Sequence, residues 1–420
     1  MNEVVITGGA RTPIGTYCGM LRDIPVEKLA ALVLNEAVKR SNVKPEEVED
    51  VILGQSYMNG EAANLARMAL LEAGWPVEVP AFTLDMRCCS SVQSVWCGAM
   101  QIQGGDADIV VAGGADCMSR TELYVSGEYI KWGLGGKNDP KWGFFPRNHG
   151  SLALWGIPFY DRIQRARPMS QPISRFGELN SMMSWAEAAA KQEGITREEA
   201  DKWALRSHQK AIAATDSGKF KEEIVPVRVM EGGKEVTRDT DETPRRDTSL
   251  EQLARLRPVY PGGVCTAGNS SSENDGAAAL VLMTPQKAKE HGVKPMAYLI
   301  AFATAGADPT LTYPAVPVAV NKALKKAGLT IDRIDLIEIQ EAFAVQALAD
   351  ARLMGIRAED LDKKVNVNGS GVSLGHPIGG TGAIRLVTLT HELVRRNARY
   401  GLLTICGGGG LGICVIIERK

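Results

Sequence analysis

The feature that most constrains the fold is a helix–strand pattern that occurs twice in the 420-residue chain. Near the start, a helical pattern over 26–40 leads to a short strand pattern over 48–54. Far downstream, a helical pattern over 318–327 leads to a strand pattern over 334–339. The order and the spacing match, so we predict two related α/β halves with a site at their junction. The alternative is a chance similarity of two βα units.

A second pair of segments supports the duplication. The runs 106–114 and 399–407 each combine a polar lead, a buried strand pattern and a glycine stop. Helix and strand patterns alternate along the chain, which is typical of α/β proteins. We therefore predict an N-terminal half over 1–285 and a C-terminal half over 286–420. An inserted loop region at about 120–257 belongs to the first half, and its early part is rich in aromatic residues, glycine and proline.

The charge and the composition exclude several classes of function. The formal net charge is −1, which argues against nucleic acids and membrane surfaces as partners, because proteins that bind them usually carry a basic excess. No apolar run is long enough to cross a bilayer, and the first six residues lack the segments of a signal peptide. The eight cysteines show no metal-like spacing. We expect reduced thiols, a cytoplasmic location and no metal site.

Cys88 is the first candidate for a catalytic residue. A strand pattern ends near Arg87, and a helical pattern follows with apolar residues at Val92, Val95 and Trp96. Cys88 therefore lies at the start of a helix, where free amides and the positive end of the helix dipole stabilise a thiolate. This position predicts a nucleophile with a lowered thiol pKa. The alternative is a small buried cysteine that only packs.

His376 is the second candidate, because it lies in a loop dense in glycine at 368–382. Glycines let a backbone pass close to a ligand, and Pro377 restricts the backbone of His376. The chain has five histidines, and one that is fixed in such a loop is a candidate general base. The alternative is a dinucleotide-binding loop, which the glycine spacing around His376 fits poorly.

Two further segments lie at the predicted ends of strands. Cys406 precedes four consecutive glycines, 407–410, whose free amides can form an oxyanion hole. The alternative is a tight glycine turn that packing requires. Gln340 begins the run Gln-Glu-Ala-Phe just after a strand pattern. Because open α/β folds bind ligands at the carboxyl ends of their strands, we expect these groups to meet there.

Four motifs in the same order resemble those of the thiolase family. The run Cys-Cys-Ser-Ser-Val-Gln at 88–93 resembles the nucleophile motif of that family, and Gln-Glu-Ala-Phe at 340–343 resembles its Asn-Glu-Ala-Phe. Gly-His-Pro-Ile-Gly at 375–379 and Cys-Gly-Gly-Gly-Gly-Leu-Gly at 406–412 match two more. Arg-Thr-Pro-Ile-Gly at 11–15 extends the resemblance, which spans nearly the whole chain.

The resemblance implies a fold and a reaction. The fold would be α/β, with two duplicated halves in five thiolase-like α/β/α/β/α layers. The reaction would be the CoA-dependent cleavage of a 3-oxoacyl-CoA to acetyl-CoA and a shortened acyl-CoA, or the reverse Claisen condensation. Such an acetyl-CoA C-acyltransferase or C-acetyltransferase would serve fatty acid metabolism and β-oxidation. It would be a homodimer or homotetramer with no permanently bound cofactor, and coenzyme A would be its substrate.

The resemblance also assigns roles to residues. Cys88 would take the acyl group, His376 would deprotonate Cys88, and Cys406 would move the proton at the α-carbon of the second acyl-CoA. The backbone amides of Cys88 and Gly408 would form an oxyanion hole. Gln340 stands where the family usually has an asparagine that positions a water. The predicted contacts with acyl-CoA and CoA are Met182, Arg245, Ala267, Ser271 and Phe343.

Departures from the family pattern bear on the pocket. Gln340 is longer than the usual asparagine, and the run 181–187 has Ser181 and Trp185 where the family often has histidine and threonine. These departures motivate two alternatives, a condensing acyltransferase of the same fold without thiolysis and a non-catalytic acyl-CoA-binding subunit. A binding subunit needs no proton chemistry, so the two cysteines and the histidine argue against it. The sequence assigns neither the acyl chain nor the direction of the reaction.

Overall fold

The computed structural model describes residues 2–125, 159–166, 170–177, 182–311 and 313–420. Most of the early part of the predicted insertion, and Ser181, lie outside the described residues. The described strands are β1 (Val5–Arg11), β2 (Gly15–Thr16), β3 (Asp50–Gly54), β4 (Ala81–Leu84), β5 (Ile109–Cys117), β6 (Leu123–Tyr124), β7 (Tyr160–Asp161), β8 (Val227–Glu231), β9 (Lys234–Arg238), β10 (Asn274–Met283), β11 (Ala297–Gly306), β12 (Leu336–Ile339), β13 (Tyr400–Gly407) and β14 (Leu411–Glu418). The described α-helices are α1 (Val26–Arg40), α2 (Leu65–Glu72), α3 (Ser90–Gly104), α4 (Arg162–Ala166), α5 (Ile173–Phe176), α6 (Met182–Glu193), α7 (Arg197–Asp216), α8 (Leu250–Arg255), α9 (Pro285–Glu290), α10 (Ala315–Ala327), α11 (Ala344–Leu353), α12 (Ala358–Lys364), α13 (Gly371–Leu374) and α14 (Thr381–Arg396).

The first half of the main sheet has its strands in the order β1-β10-β5-β3-β4. β10 pairs antiparallel with β1 and with β5, whereas β3 pairs parallel with β5 and with β4. β5 and β10 are buried at every position, as their nearly continuous apolar runs require in the middle of a sheet covered on both faces. The insertion leaves the sheet after β5 and returns to it with β10.

The second half repeats this arrangement in the order β11-β14-β13-β12. β14 pairs antiparallel with β11 and with β13, and β12 pairs parallel with β13. An isolated parallel bridge joins Ile337 of β12 to Val365, in the place that corresponds to β4. Strand order and direction match from one half to the other, which confirms the predicted duplication. The halves join where Val5 and Ile6 of β1 pair with β11.

The helices form three layers around the two halves of the sheet. α1 packs on β1, β5 and β10, and α2 packs on β3 and β4. On the far side, α10 packs on β11, β13 and β14. α3 and α14 lie between the halves, in contact with each other and with strands of both. The result is the predicted arrangement of five α/β/α/β/α layers.

The central position of α14 is reflected in its burial. Its first ten residues are all buried, as expected of a helix that is covered on every side. Ile384 and Val387 of α14 pack in one core cluster with Val92 and Val95 of α3. This packing fixes the start of α3 and, with it, the turn that carries Cys88.

The described part of the insertion is anchored at one end by a buried cation. Arg11, the last residue of β1, donates to Glu223 at 2.7 Å and to both oxygens of Asp241 at 2.7 and 2.9 Å. The pairing offsets the cost of removing these charges from water. Elsewhere in the insertion, α6 and α7 pack on α11 of the C-terminal half. The insertion therefore covers the junction of the halves.

The described residues lack two kinds of feature. They include no helix that is long and apolar enough to cross a membrane. They also include no cluster of histidine, cysteine, aspartate or glutamate that could hold a metal ion.

Candidate active site

A cavity of about 480 Å³ lies where the two halves and the insertion meet. Four of the predicted catalytic residues line it: Cys88, His376, Cys406 and Gly408. The five predicted contacts with acyl-CoA and CoA also line it: Met182, Arg245, Ala267, Ser271 and Phe343. Residues that are hundreds of positions apart in the chain are thus brought to one cavity.

Cys88 lies in the turn between β4 and α3, and this turn is strained. The preceding residue, Arg87, has a φ of 55°, a left-handed conformation that is uncommon for a residue with a side chain. Two hydroxyls hold the Arg87 carbonyl, since Ser90 Oγ donates to it at 2.6 Å and Ser56 Oγ at 2.8 Å. Ser90 Oγ also accepts from the Met86 amide at 2.8 Å. The nucleophile turn is therefore fixed by its neighbours.

His376 faces Cys88 with an unprotonated ring nitrogen. The Thr381 hydroxyl donates to the Pro377 carbonyl at 2.9 Å, so its oxygen is left to accept a hydrogen bond. His376 Nδ1 lies 2.7 Å from that oxygen and must be the protonated nitrogen. His376 Nε2 then carries a lone pair, 3.3 Å from Cys88 Sγ. This tautomer makes His376 a base for the Cys88 thiol.

The backbone around His376 is also held in place. The His376 amide donates to Asn274 Oδ1 at 2.8 Å. Gly375 has a φ of 88°, and a Cβ atom there would lie about 2.5 Å from the Asn274 side chain, so this approach requires glycine. Arg385 Nη2 donates to the Gly375 carbonyl at 2.8 Å.

The Cys88 thiol is protonated at neutral pH. Burial raises its pKa to about 11, although the amides of Gly408 and of Cys88 itself donate to the sulfur and Arg87 lies nearby, all of which lower the pKa. The expectation that the helix start lowers the Cys88 pKa is therefore wrong, because burial raises this pKa more than the nearby amides lower it. Cys88 must lose its proton during the reaction, and His376 is placed to accept it. Both amides of the expected oxyanion hole lie at the sulfur.

Cys406 is the second thiol of the cavity, near the end of β13. Burial, followed by the neighbouring Cys88, raises the Cys406 pKa well above the usual range. Cys406 is thus a neutral thiol, which can donate a proton. In the turn that follows, Gly409 and Gly410 have φ values of 86° and 76°, so the glycine run shapes the turn whose Gly408 amide reaches Cys88.

Gln340 is placed apart from the cavity wall. Its side chain is buried, and its Oε1 accepts from Arg385 Nε at 3.2 Å. Its Nε2 has no hydrogen-bond partner among the described residues. Arg385 also holds the Gly375 carbonyl, directly before His376. Gln340 therefore reaches His376 through Arg385 and Gly375.

Large apolar side chains form much of the remaining wall. Met118, Met183, Trp185 and Ile378 line the cavity in addition to Met182. Trp185, which departs from the family pattern, is buried in α6 with 4% of its surface exposed. An apolar wall of this kind suits an acyl chain.

Three residues that hold the Cys88–His376 pair were assigned no role from the sequence. Thr381 and Asn274 bond to His376, and Asp116 bonds to the loop that follows it. The only signal for Thr381 is its place in the glycine-dense loop. Asn274 and Asp116 are far from His376 in the chain, and only the fold brings them to it.

Comparison with known proteins identifies the class to which this fold and site belong. Family models described as the thiolase N-terminal domain and the thiolase C-terminal domain match residues 4–286 and 293–419. The chain therefore belongs to the thiolase family, and the predictions of the family, the fold and an acyltransferase of the thiolase type are confirmed.

The relatives cover essentially the whole chain. An acetyl-CoA acetyltransferase of Syntrophomonas wolfei is 41% identical over 99% of each chain, and the beta-ketothiolase BktB of Cupriavidus necator is 38% identical over 99% of each. A crystal structure of the Bacillus anthracis acetyl-CoA acetyltransferase has a TM-score of 0.88 at 41% identity, covering 100% of this chain and 99% of that one. A crystal structure of human mitochondrial 3-ketoacyl-CoA thiolase has the same TM-score and coverage at 34% identity.

Proposed function

We propose that this enzyme uses free CoA to cleave 3-oxoacyl-CoA into acetyl-CoA and a shortened acyl-CoA. The reverse Claisen condensation runs through the same acyl-Cys88 intermediate. The observation that carries the proposal is the 3.3 Å contact between Cys88 Sγ and the unprotonated Nε2 of His376. A thiol beside such a nitrogen can become a thiolate at the moment of attack. Cleavage of a carbon–carbon bond by CoA in this way fits a role in the β-oxidation of fatty acids.

The first half of the cleavage reaction uses Cys88 as the nucleophile. Its sulfur attacks the 3-oxo carbon while His376 Nε2 takes the thiol proton. The amides of Cys88 and Gly408, which lie at the sulfur, hold the oxyanion that forms. When this intermediate collapses, the bond between C2 and C3 breaks. The shortened acyl group stays on Cys88, and the enolate of acetyl-CoA leaves.

Cys406 completes the proton transfers. As a neutral thiol it donates its proton to the α-carbon of the enolate, which yields acetyl-CoA. The Cys406 thiolate then takes the proton of the incoming CoA thiol, and the CoA sulfur attacks acyl-Cys88. His376 returns its proton to Cys88 as the acyl group leaves. Every proton is thus restored, and Cys406 acts as the base in the condensation direction.

The proposal includes the predicted contacts with acyl-CoA and CoA. Arg245 brings a cation to the cavity wall, which suits the phosphates of CoA. Met182 and Phe343 add apolar surface, and Ala267 and Ser271 complete the set. Coenzyme A enters as a substrate, and cysteine chemistry of this kind needs no permanently bound cofactor.

Gln340 has an indirect role in this proposal. It supports Arg385, which in turn holds the Gly375 carbonyl beside His376.

The proposal also divides the chain into an N-terminal half that ends at 285 and a C-terminal half that begins at 286. The eight cysteines are all free, which supports the proposed cytoplasmic location, where thiols stay reduced.

The outer strand β4 supports the proposal that the enzyme is a homodimer or a pair of homodimers. Among the described strands, β4 pairs on one side only, with β3. Exposed apolar residues lie on or near this edge, with Val77 64% and Phe82 38% exposed. A second copy could pair with the free edge and cover this surface.

Sedimentation at micromolar concentration is expected to give at least twice the mass of one chain. A mass equal to that of a single chain would contradict the proposed dimer.

Turnover by the purified chain tests the proposed reaction. A series of 3-oxoacyl-CoAs is mixed with the enzyme, with and without free CoA, and the products are separated by chromatography. With free CoA we expect acetyl-CoA and the shortened acyl-CoA to form in equal amounts over many turnovers, whereas without it the reaction should stop after one acetyl-CoA per enzyme. Condensation without CoA-dependent cleavage would instead indicate the condensing acyltransferase. No turnover in either direction would indicate the binding subunit.

A further inference from the structure

Asp116, near the end of β5, is a buried carboxylate that does not line the cavity. Its Oδ2 accepts from the Gly379 amide at 2.6 Å and from the Ser56 amide at 3.2 Å. Its Oδ1 accepts from the Tyr57 amide at 3.2 Å. Burial raises the Asp116 pKa to about 7 even with these donors, so a carboxyl group here is costly compared with an apolar side chain. One side chain thus joins the loop after β3 to the loop after His376.

The first branch leads from Asp116 to the nucleophile. Asp116 fixes the backbone of Ser56, and the Ser56 hydroxyl donates to the Arg87 carbonyl at 2.8 Å. Arg87 is the residue with a left-handed φ directly before Cys88. A strained turn of this kind persists only where its surroundings hold it. Asp116 is therefore two hydrogen bonds from the turn that aims the Cys88 sulfur.

The second branch leads from Asp116 to the base. Gly379 lies three residues after His376 and two before Thr381, whose hydroxyl sets the tautomer of the imidazole. The contact is close, because a Cβ atom at Gly379 would lie 2.8 Å from Asp116 Oδ2 and 2.7 Å from the Ser56 amide nitrogen. The two branches meet again at the 3.3 Å contact between Cys88 Sγ and His376 Nε2.

We propose that Asp116 is a positioning residue that sets the separation of the Cys88 thiol and the His376 imidazole. Its single carboxylate holds both loops, so a change at Asp116 moves the two reacting groups relative to each other. The expected effect on turnover rests on the proposed function, whereas the effect on the Cys88–His376 pair does not. Displacing a reacting group by as little as 1 Å can lower a rate by about 100-fold.

The test replaces one oxygen of the Asp116 carboxylate. Asp116→Asn keeps the size but turns an NH2 group toward backbone N–H donors, so one contact becomes repulsive. We expect kcat to fall by about 10- to 100-fold with KM for acyl-CoA unchanged, because Asp116 does not touch the cavity. Alkylation of Cys88 by iodoacetamide, followed by mass spectrometry of its peptide, is expected to slow by about 10-fold, because proton transfer to His376 becomes less favourable.

Asp50→Asn is the matched control. Asp50 is also a buried carboxylate that accepts from a backbone amide, that of Val51 at 2.8 Å, and from Gln101 Nε2 at 2.7 Å, but it lies at the start of β3. We expect its Cys88 alkylation rate and its kcat to match those of the unmodified enzyme.

Several outcomes would overturn the proposal. An unchanged rate of Cys88 alkylation in Asp116→Asn is one such outcome. A rate that rises both for Cys88 and for the buried β14 cysteine Cys414 is another, because it indicates a general loosening of the structure. If Asp116→Asn does not fold, Ser56→Ala decides: slower alkylation of Cys88 supports the proposal, and an unchanged rate overturns it. If the unmodified enzyme shows no thiolase turnover, the proposed function fails, but the alkylation rates still test Asp116.

Discussion

Replacing Cys88 with serine is expected to reduce CoA-dependent cleavage by on the order of 10³-fold or more, with little change in the free energy of unfolding. Serine is nearly the same size as cysteine, so the turn between β4 and α3 keeps its hydrogen bonds through Ser90 and Ser56. A hydroxyl is a far weaker acid than a thiol, so His376 cannot make an alkoxide as it makes a thiolate. An oxygen ester is also a poorer acyl donor to CoA than a thioester.

Cys97→Ser is the control for this variant. Cys97 is a partly buried free cysteine two turns further along α3, and it does not line the cavity. Initial rates with a 3-oxoacyl-CoA and free CoA compare the two variants, and thermal unfolding checks that both are folded. Full activity in Cys88→Ser would refute the assignment of the nucleophile. Equal losses in both variants would mean that these two thiols matter only for packing.

Replacing Cys406 with serine is expected to separate the two halves of the reaction. Cleavage of 3-oxoacyl-CoA should fall by about 10²- to 10⁴-fold, because the enolate loses its proton donor. Exchange of labelled CoA into acetyl-CoA should persist, because no proton moves at the α-carbon in this partial reaction. Cys406 therefore keeps its own proton, and His376 alone carries the proton between the Cys88 thiol and CoA. The raised pKa of Cys406 is the physical basis, since it keeps the thiol protonated and ready to donate.

Both rates can be measured on the same preparation of the variant. Cys414→Ser is a suitable control, because Cys414 is a buried cysteine of β14, the strand that pairs with β13. A fall of the same size in cleavage and in exchange would contradict the separate role of Cys406. It would place Cys406 in the support of Cys88 instead.

The general plan of the fold could be predicted because its signals are local. The helix and strand patterns at 26–54 and 318–339 repeat one another, and the structure pairs the corresponding strands β3 and β12 in parallel with β5 and β13. Positions at the ends of strands likewise pointed to Cys88 and Cys406 as members of one site. Periodicity and strand ends are properties of short segments, so a sequence reveals them.

The pKa of Cys88 could not be predicted, because it depends on distant parts of the chain. The start of α3 alone favours a thiolate, but burial of the sulfur raises its pKa to about 11, and residues as distant in the chain as His376 and Gly408 lie against it. Burial of a residue is set by everything that packs on it. The short segment around Cys88 carries no record of that packing.

The supports of the site were hidden for a related reason. Asp116 reads as one polar residue at the end of β5, and its three amide partners come from loops far away in the sequence. The motif that contains Gln340 predicted a place for this residue in the cavity, but its side chain accepts a hydrogen bond from Arg385 instead. Hydrogen bonds across the fold decide both cases, and no spacing in the chain encodes them.

Mass spectrometry of the peptide that contains Cys88 tests the central claim most directly. The enzyme is mixed with a 3-oxoacyl-CoA in the absence of free CoA, quenched in acid and digested. The proposed mechanism predicts an added mass equal to the shortened acyl group on Cys88, absent from the other seven cysteines and removed when CoA is supplied. An unmodified Cys88, or the acyl group on another residue, would contradict it.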